Sequence, residues 1–460
     1  MKNGQIPQYN IFYGIKALNI NYLYYLCNQN KKARKMKQYK SRIIDRLLAE
    51  KLEAMGAVLI EGPKYCGKTT TGEQQAKSVL YMADPEIKDR NIMMASTNIK
   101  RLLAGDTPRL IDEWQIAPKL WDAIRFEVDH RGEDGQFMLT GSAVPASTSE
   151  IFHSGTGRFG WIRMHTMSLW ESGDSTGDVS LGSLFSQGND VDGASSLDIQ
   201  QISFLICRGG WPKSSFKTNA RSALIEAREY VEAVCRSDIS RADNVQRNAE
   251  LARRLMRSYS RHQGGQVSVG SILSDIRVNE TSETTEATVA SYINALKRIF
   301  VIEDMAAWNP NLRSKTAIRT SDTRYFTDPS IAAASLGLGP EDLLDDPNTL
   351  GLLFETMAVR DLRVYAEALD GQVYHYRDKN GLECDAILHL RNGKYGLIEI
   401  KLGGDTLIEA GAATLKKLAS KIDTERMKSP SFMMVLTAIG EYAYRRLDGV
   451  LVVPIGSLKD

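Results

Sequence analysis

The octapeptide Gly62-Pro63-Lys64-Tyr65-Cys66-Gly67-Lys68-Thr69 has the spacing G-x-x-x-x-G-K-[ST], and its residue types suit the holding of a polyphosphate. Gly62 and Gly67 let the main chain wrap closely around phosphate with its N–H groups turned inward. Lys68 is placed to reach the β- and γ-phosphates, and Thr69 offers a hydroxyl to Mg²⁺. The apolar run Ala57–Ile60 reads as a strand, and Thr70 opens a helical stretch whose positive end faces the anion. Strand, glycine-rich turn and helix are the context this motif requires, so the residues from Gly62 to Thr70 are the expected ATP contacts.

Three later segments supply groups for hydrolysis. Pro108-Arg109-Leu110-Ile111-Asp112-Glu113 is a short apolar strand ending in acids. Asp112 there holds Mg²⁺ through water, and Glu113 polarises the attacking water as a base. Phe137-Met138-Leu139-Thr140-Gly141-Ser142 is a further strand ending in small polar residues; Thr140 and Ser142 are both candidates to sense the γ-phosphate. Arg158, in Gly155-Thr156-Gly157-Arg158-Phe159, is expected to meet the γ-phosphate of its own or a neighbouring subunit and to stabilise transition-state charge.

A second constellation lies near the C-terminus. Glu355 falls on a predicted helix, Asp385 in Glu383-Cys384-Asp385, and Glu399 and Lys401 in Ile398-Glu399-Ile400-Lys401. Alternation along a strand puts Glu399 and Lys401 on one face. Asp, a hairpin and then E-x-K is the pattern of restriction-endonuclease-like nucleases: Asp385, Glu399 and Glu355 would bind Mg²⁺, and Lys401 would activate water against a phosphodiester. The hairpin decides whether these groups meet. A two-residue turn at Asn392-Gly393 sends Asp385 to the face opposite Glu399. A three-residue loop with Gly393 left-handed pairs Leu390 with Lys394 and sets Asp385 against Glu399.

The elements that must position these residues divide the chain. Residues 1–40 are a basic extension ending in KKARKMKQYK, read as poorly ordered. Residues 41–171 alternate strands and helices, the signature of a parallel α/β sheet. The Gly, Ser and Asp-rich stretch 172–198 reads as a loop, linker or small hairpin. Residues 199–345 are mainly helical; an amphipathic helix at Thr288–Ile302, then a strand pair at Asp304–Ala307 and Thr316–Ile318, has the shape of a winged helix. Residues 346–460 form a last α/β unit, with a helix at Leu353–Leu369, a helix at Leu407–Ser420 and strands near Val373–Tyr376, Glu383–Leu390, Tyr395–Lys401, Phe432–Leu436 and Val450–Val453. A net charge of +2 gives no general case for nucleic acid, and no apolar run has the length of a membrane span. Five scattered cysteines argue against a disulfide framework or zinc site and fit a cytoplasmic protein.

The segments GPKYCGKTT, LIDEWQ, FMLTGSA, GRFGWIRMHTMSLWE, GGWP, YFTDPSIAAASLG and FETMAVRDL…YRDKNGLECDAIL…GLIEIK, in this order, resemble a large group of prokaryotic ATP-binding proteins that join an AAA-type ATPase domain to a C-terminal domain of unknown function. The resemblance implies an AAA-like domain, a winged-helix-like middle and a nuclease-like C-terminal domain, with ATP and Mg²⁺ as cofactors. It favours the three-residue hairpin loop. The expected function is a Mg²⁺-dependent ATPase coupled to a nuclease-like domain that binds or cleaves DNA. The alternative is an ATP-controlled DNA- or protein-binding switch with an inactive nuclease fold.

Overall fold

The computed structural model describes residues 39–143, 153–186, 191–277, 284–313, 315 and 318–460. The basic extension, apart from its last two residues, lies outside them, as does most of the Thr316–Ile318 strand expectation. Residues Arg42–Asp460 form one compact unit.

Strands β1 (Ala57–Glu61), β2 (Ser78–Tyr81), β3 (Arg109–Asp112), β4 (Phe137–Gly141) and β5 (Phe159–Arg163) make a five-stranded sheet in the order β2-β3-β4-β1-β5. Every pairing is parallel, so all carboxyl ends share one edge. The strands are short apolar runs because both faces are covered. Ala57, Leu59, Ile111, Phe137 and Leu139 pack with the helix Leu120–Arg131 on one face; Val58, Ile60, Leu110 and Met138 pack with the helix Ile44–Ala54 on the other. The crossover order puts β4 between β1 and β3, so the end of β4 lies between the turn after β1 and the acids after β3.

The stretch 172–198 is more than a connecting loop. It contributes β6 (Val179–Ser180), the helix Leu181–Ser186 and β7 (Gly193–Ala194). These strands pair with the far end of the chain: β6 with β14 (Leu458–Lys459) and β7 with β12 (Tyr442–Arg445). Two-residue strands have too little periodicity to be read from a Gly- and Ser-rich sequence, and the short, largely exposed β12 went unread as well. The C-terminal sheet has the order β7-β12-β13-β11-β10-β9-β8, with β8 at Gly371–Arg377, β9 at Glu383–Leu390, β10 at Tyr395–Lys401, β11 at Phe432–Thr437 and β13 at Leu451–Pro454. The helix Pro347–Ala368 covers one face and the helix Asp405–Lys421 the other.

Between the two sheets run the helices Ile199–Arg208, Ala220–Ala233, Ala249–Ser260, Val269–Arg277 and Glu286–Arg298. After the last of them come two antiparallel bridges, Ile302 with Phe326 and Met305 with Thr323. The return segment is thus 323–326, whereas Ile318 bridges to Asp378 of the C-terminal unit.

A buried charge cluster joins these parts. Asp328, fully buried, accepts hydrogen bonds from Thr166 Oγ1 at 2.6 Å, from the Gly210 amide at 2.9 Å and from Arg360 at 3.3 Å. Arg360 also donates from Nε to Asp361 at 2.8 Å, and Asp361 accepts from the Leu169 amide at 3.0 Å. Burial pushes the Asp361 carboxyl up to about 6 against the opposing pull of Arg360. Buried charge is tolerated only when paired and hydrogen-bonded. Arg360→Ala leaves two buried carboxylates without their cation and is expected to destabilise the fold by about 3–5 kcal/mol in urea denaturation. Arg46→Ala, which loses an exposed pair to Glu50, should stay within about 1 kcal/mol of wild type.

Candidate functional site

The turn after β1 is fixed by its surroundings. Gly62 has φ +153°, and a Cβ there would lie 2.0 Å from the Met164 carbonyl oxygen, which follows β5; only glycine permits that approach. Lys68, buried, donates to the Gly62 and Pro63 carbonyls at 2.9 and 2.7 Å. Arg42 braces the turn from outside: Nη1 donates to the Cys66 carbonyl at 2.8 Å, while Nε pairs with Glu171 at 2.9 Å. Among the remaining turn residues, the Lys64 ammonium pairs with Asp238 at 2.7 Å, Tyr65 is exposed and the Cys66 thiol is buried beside the Met164 carbonyl.

At the shared carboxyl edge the motifs meet. Thr69 Oγ1 donates to Asp112 Oδ1 at 2.6 Å, and Thr140 Oγ1 donates to the same oxygen at 2.7 Å. Ser142 Oγ donates to Glu113 Oε2 at 2.8 Å, and Gln115 donates to that oxygen too. Glu113 has φ +57°, an uncommon conformation for a residue with a side chain, which turns the chain sharply after β3. Thr140 and Ser142 divide the work, one on each acid. Thr70 follows Thr69 in the first turn of the helix Lys68–Gln75.

For Arg158 the expectation of a contact within its own chain is corrected. It precedes β5, and Phe159 is level with Ala57, the first residue of β1, so Arg158 lies at the amino edge of the sheet. It is exposed and pairs with Asp129 at 2.8 Å. It does not reach the nucleotide turn of its own chain, because β1 separates the two edges.

In the C-terminal unit the hairpin adopts the three-residue loop. The Leu390 amide donates to the Lys394 carbonyl at 2.9 Å, Gly393 has φ +80°, and Ile398 is level with Ala386. Asp385 and Glu399 therefore face each other, and Lys401 bridges them at 2.9 and 2.7 Å. They line a cavity of about 500 Å³, walled by Asn380, Gly381 and Leu382 on one side and by Ala413, Thr414 and Lys417 on the other. Glu355 does not line it. It comes from the helix on the opposite face of the sheet, accepts from Tyr325 and shares with Asp385 an adjoining cavity of about 30 Å³.

The electrostatics follow. Burial, and then the Asp385 charge, pushes the Glu355 carboxyl up to about 8. Burial and Asp385 likewise push Glu399 to about 8, against the pull of Lys401. The three-carboxylate metal site expected at Asp385, Glu399 and Glu355 is not assembled: Lys401 fills the space between two of the acids, and the third faces the neighbouring cavity. Among the described residues no cluster of three or more His, Cys, Asp or Glu side chains is arranged to hold a metal ion.

Arg42, Glu171, Asp328, Arg360 and Asp361 received no role from the sequence. Glu171, Asp328, Arg360 and Asp361 fall within the segments that carry the family resemblance, which was the available signal; Arg42 lies well before the first of them.

Residues 55–172 match a family described as AAA domain, residues 199–342 a Domain of unknown function (DUF8612), and residues 350–458 a Domain of unknown function (DUF4143). The uncharacterized protein Mb2031c of Mycobacterium bovis and the uncharacterized protein Rv2008c of Mycobacterium tuberculosis are each 23% identical over 360 residues, 77% of this chain and 72% of theirs. The Walker-type ATPase PABY2304 of Pyrococcus abyssi is 12% identical with a TM-score of 0.41, covering 65% of this chain and 97% of that one. The AAA match lies over the five-stranded parallel sheet and supports an AAA-type, ATP-binding domain there. That domain is joined in one chain to two regions similar to domains of unknown function. Among the described residues no helix is long and apolar enough to cross a membrane.

The raised Glu355 carboxyl has a sign that can be checked. The folded protein keeps this proton up to about pH 8, whereas the unfolded chain releases it near pH ~4.3. Wild-type stability thus falls as pH rises through that window. Glu355→Gln is expected to melt close to wild type at pH ~5 and progressively above it towards pH ~8, read as the difference between their melting temperatures.

Proposed function

We propose that the protein is a Mg²⁺-dependent ATP hydrolase in which residues 41–171 turn over nucleotide, residues 199–345 form a winged-helix-like middle, and residues 346–460 form a nuclease-like domain that binds nucleic acid. The observation that carries the first part is the convergence of Thr69 and Thr140 on one oxygen of Asp112, beside Lys68 and Glu113. The Thr69 hydroxyl and the Asp112 carboxylate are hard oxygen donors within 2.6 Å of each other, a set that suits Mg²⁺. Bound there, Mg²⁺ would neutralise charge on the phosphates. Lys68 exchanges its carbonyl partners for phosphate oxygens, which bind an ammonium more strongly. Glu113, oriented by Ser142, takes the proton of the attacking water.

For the C-terminal domain, the facing pair Asp385 and Glu399 with Lys401 supports the nuclease-like fold. The same geometry favours binding over cleavage, because Lys401 stands between the acids that a metal would join. This reading is the nucleotide-controlled switch: ATP turnover changes the grip of the protein on DNA.

Lys68→Ala is expected to weaken ATP binding about ten- to a hundredfold by calorimetry, the loss of a charge-assisted contact. Glu113→Gln should keep affinity near wild type while turnover falls about a hundredfold or more. Wild-type turnover in Glu113→Gln would remove the base assignment. For the other domain, wild-type protein with Mg²⁺ or Mn²⁺ is expected to retain labelled DNA in a gel shift and leave it uncut. Cleavage that disappears in Lys401→Ala would replace the switch by a nuclease.

A further inference from the structure

The nucleotide turn from Pro63 to Gly67 is also a joint with the helical middle. Lys64 Nζ donates to Asp238 Oδ1 at 2.7 Å, and Asp238, which is buried, accepts from the Ser237 hydroxyl at 3.5 Å as well. Three residues after Lys64, a Cβ on Gly67 would lie 3.6 Å from Pro212 Cγ, at the start of the helix Pro212–Ser215. The neighbouring Trp211 ring packs 4.4 Å from that of Tyr230 on the helix Ala220–Ala233. Burial, and then the Asp238 charge, pushes the Tyr230 hydroxyl up, with Cys66 and Tyr65 of the turn among its electrostatic neighbours. The helix that carries Tyr230 runs on into a single π-helical turn, Val234–Asp238, closed by the Ile239 amide on the Val234 carbonyl. A π-turn inserts one residue into an α-helix and recurs at functional positions. Its last residue here is the one that meets Lys64.

The turn has reason to need a brace. Gly62, Tyr65 and Gly67 have φ of +153°, +64° and +107°. Glycine takes such values freely, but Tyr65 has a side chain, and a left-handed residue of that kind persists only where its surroundings hold it. Met164 and Arg42 hold the turn at Gly62 and Cys66 from the ATPase part. Between them, at Lys64 beside Tyr65, the hold comes from Asp238 of the middle. Lys68 ties the turn from inside, through the Gly62 and Pro63 carbonyls. A phosphate that takes Lys68 from those carbonyls removes the inner tie, and the outer one at Lys64 then keeps the main chain in place.

We propose that Asp238 is a positioning residue of the nucleotide site: through Lys64 it holds the P-loop in the shape that accepts phosphate, and so links ATP affinity to the helical middle. The inference rests on the ATP-binding reading of the P-loop. The link is reciprocal, so bound ATP steadies the π-turn that carries Asp238. The sign of the effect separates a brace from plain charge. ATP is a polyanion; removing a nearby acid tightens its binding by Coulomb's law, whereas removing a lysine weakens it. Loss of a brace weakens binding from either side.

The test uses the full chain with ATP and Mg²⁺, read by calorimetry and by steady-state turnover. Asp238→Asn and Lys64→Met are each expected to weaken ATP binding about three- to tenfold. The double variant should be no weaker than the worse of the two, because both changes remove one contact. In turnover the loss should appear as a raised KM rather than a lowered kcat. Asp238→Glu, which keeps the ion pair, is expected to restore affinity to within about twofold of wild type. Melting temperatures matching wild type establish that the variants are folded, and Lys64→Met, changed at a half-buried side chain, carries the test if Asp238→Asn is not. Asp238→Asn binding ATP as tightly as wild type, or more tightly, overturns the brace. So does a double variant whose loss is the product of the single losses, since the two residues then act separately. A wild type that binds no ATP, or Lys68→Ala binding it as wild type does, overturns the reading of the P-loop itself, and the brace with it.

Discussion

Arg360 lies between two carboxylates, Asp328 and Asp361, and all three side chains are buried. Removing such charges from water costs several kcal/mol per ion, recovered only with close pairing and filled hydrogen bonds. Here the bonds come from distant parts of the chain. Thr166 and Leu169 follow the ATPase sheet, Gly210 begins the helical middle, and Arg360 and Asp361 sit on the long helix over the C-terminal sheet. None of these parts can withdraw without stranding a charge. One hydrophobic core runs through all of these parts, from Leu169 to Leu458, beside a separate one between the C-terminal sheet and the helix Asp405–Lys421.

The segment after β5 carries a second set of ties. His165 meets Glu303 at 2.9 Å, and Arg363 donates to the Glu303 carbonyl at 2.8 Å. Although burial opposes it, pairing with His165 and Arg363 holds the Glu303 carboxyl well below the usual carboxylate range. One residue earlier, the Met164 carbonyl closes on Gly62, and the His165 carbonyl accepts from Arg42 at 3.1 Å. The nucleotide turn and the joints to the rest of the molecule are thus built from the same few residues. The Arg42 guanidinium ties the two together, donating to the Cys66 carbonyl in the turn and to the His165 carbonyl in the joint.

The two polar sites differ in how they handle charge. At the sheet edge, Asp112 is stabilised by two hydroxyls, small neutral donors that can give way to a cation. In the C-terminal cleft the acids are held by an ammonium whose own affinity for its proton is raised by Asp385 and Glu399 despite burial. An internal cation of that kind offsets the repulsion between facing carboxylates without a metal.

How much of this was legible in the sequence depended on the range of the interactions. The P-loop, the acids after β3 and the polar end of β4 were readable because each is a local pattern whose geometry follows from strand, turn and helix. The bounds of β9 and β10 were readable for the same reason: period-two alternation broken by Asn392-Gly393. The choice between two hairpin registers did not follow from the turn residues, which suit both; the family resemblance favoured the three-residue loop, and the sheet adopts it, setting Asp385 against Glu399. Tertiary structure alone also put Arg158 at the amino edge of its sheet, away from its own chain's P-loop, separated Glu355 from the main cleft, drew residues 172–198 into strand pairs with the chain end, and brought Asp328, Arg360 and Asp361 together. These are contacts between residues far apart in the chain. Sequence by itself determined the chemistry each segment could offer; burial and the demand that every buried charge find a partner decided which of those groups meet.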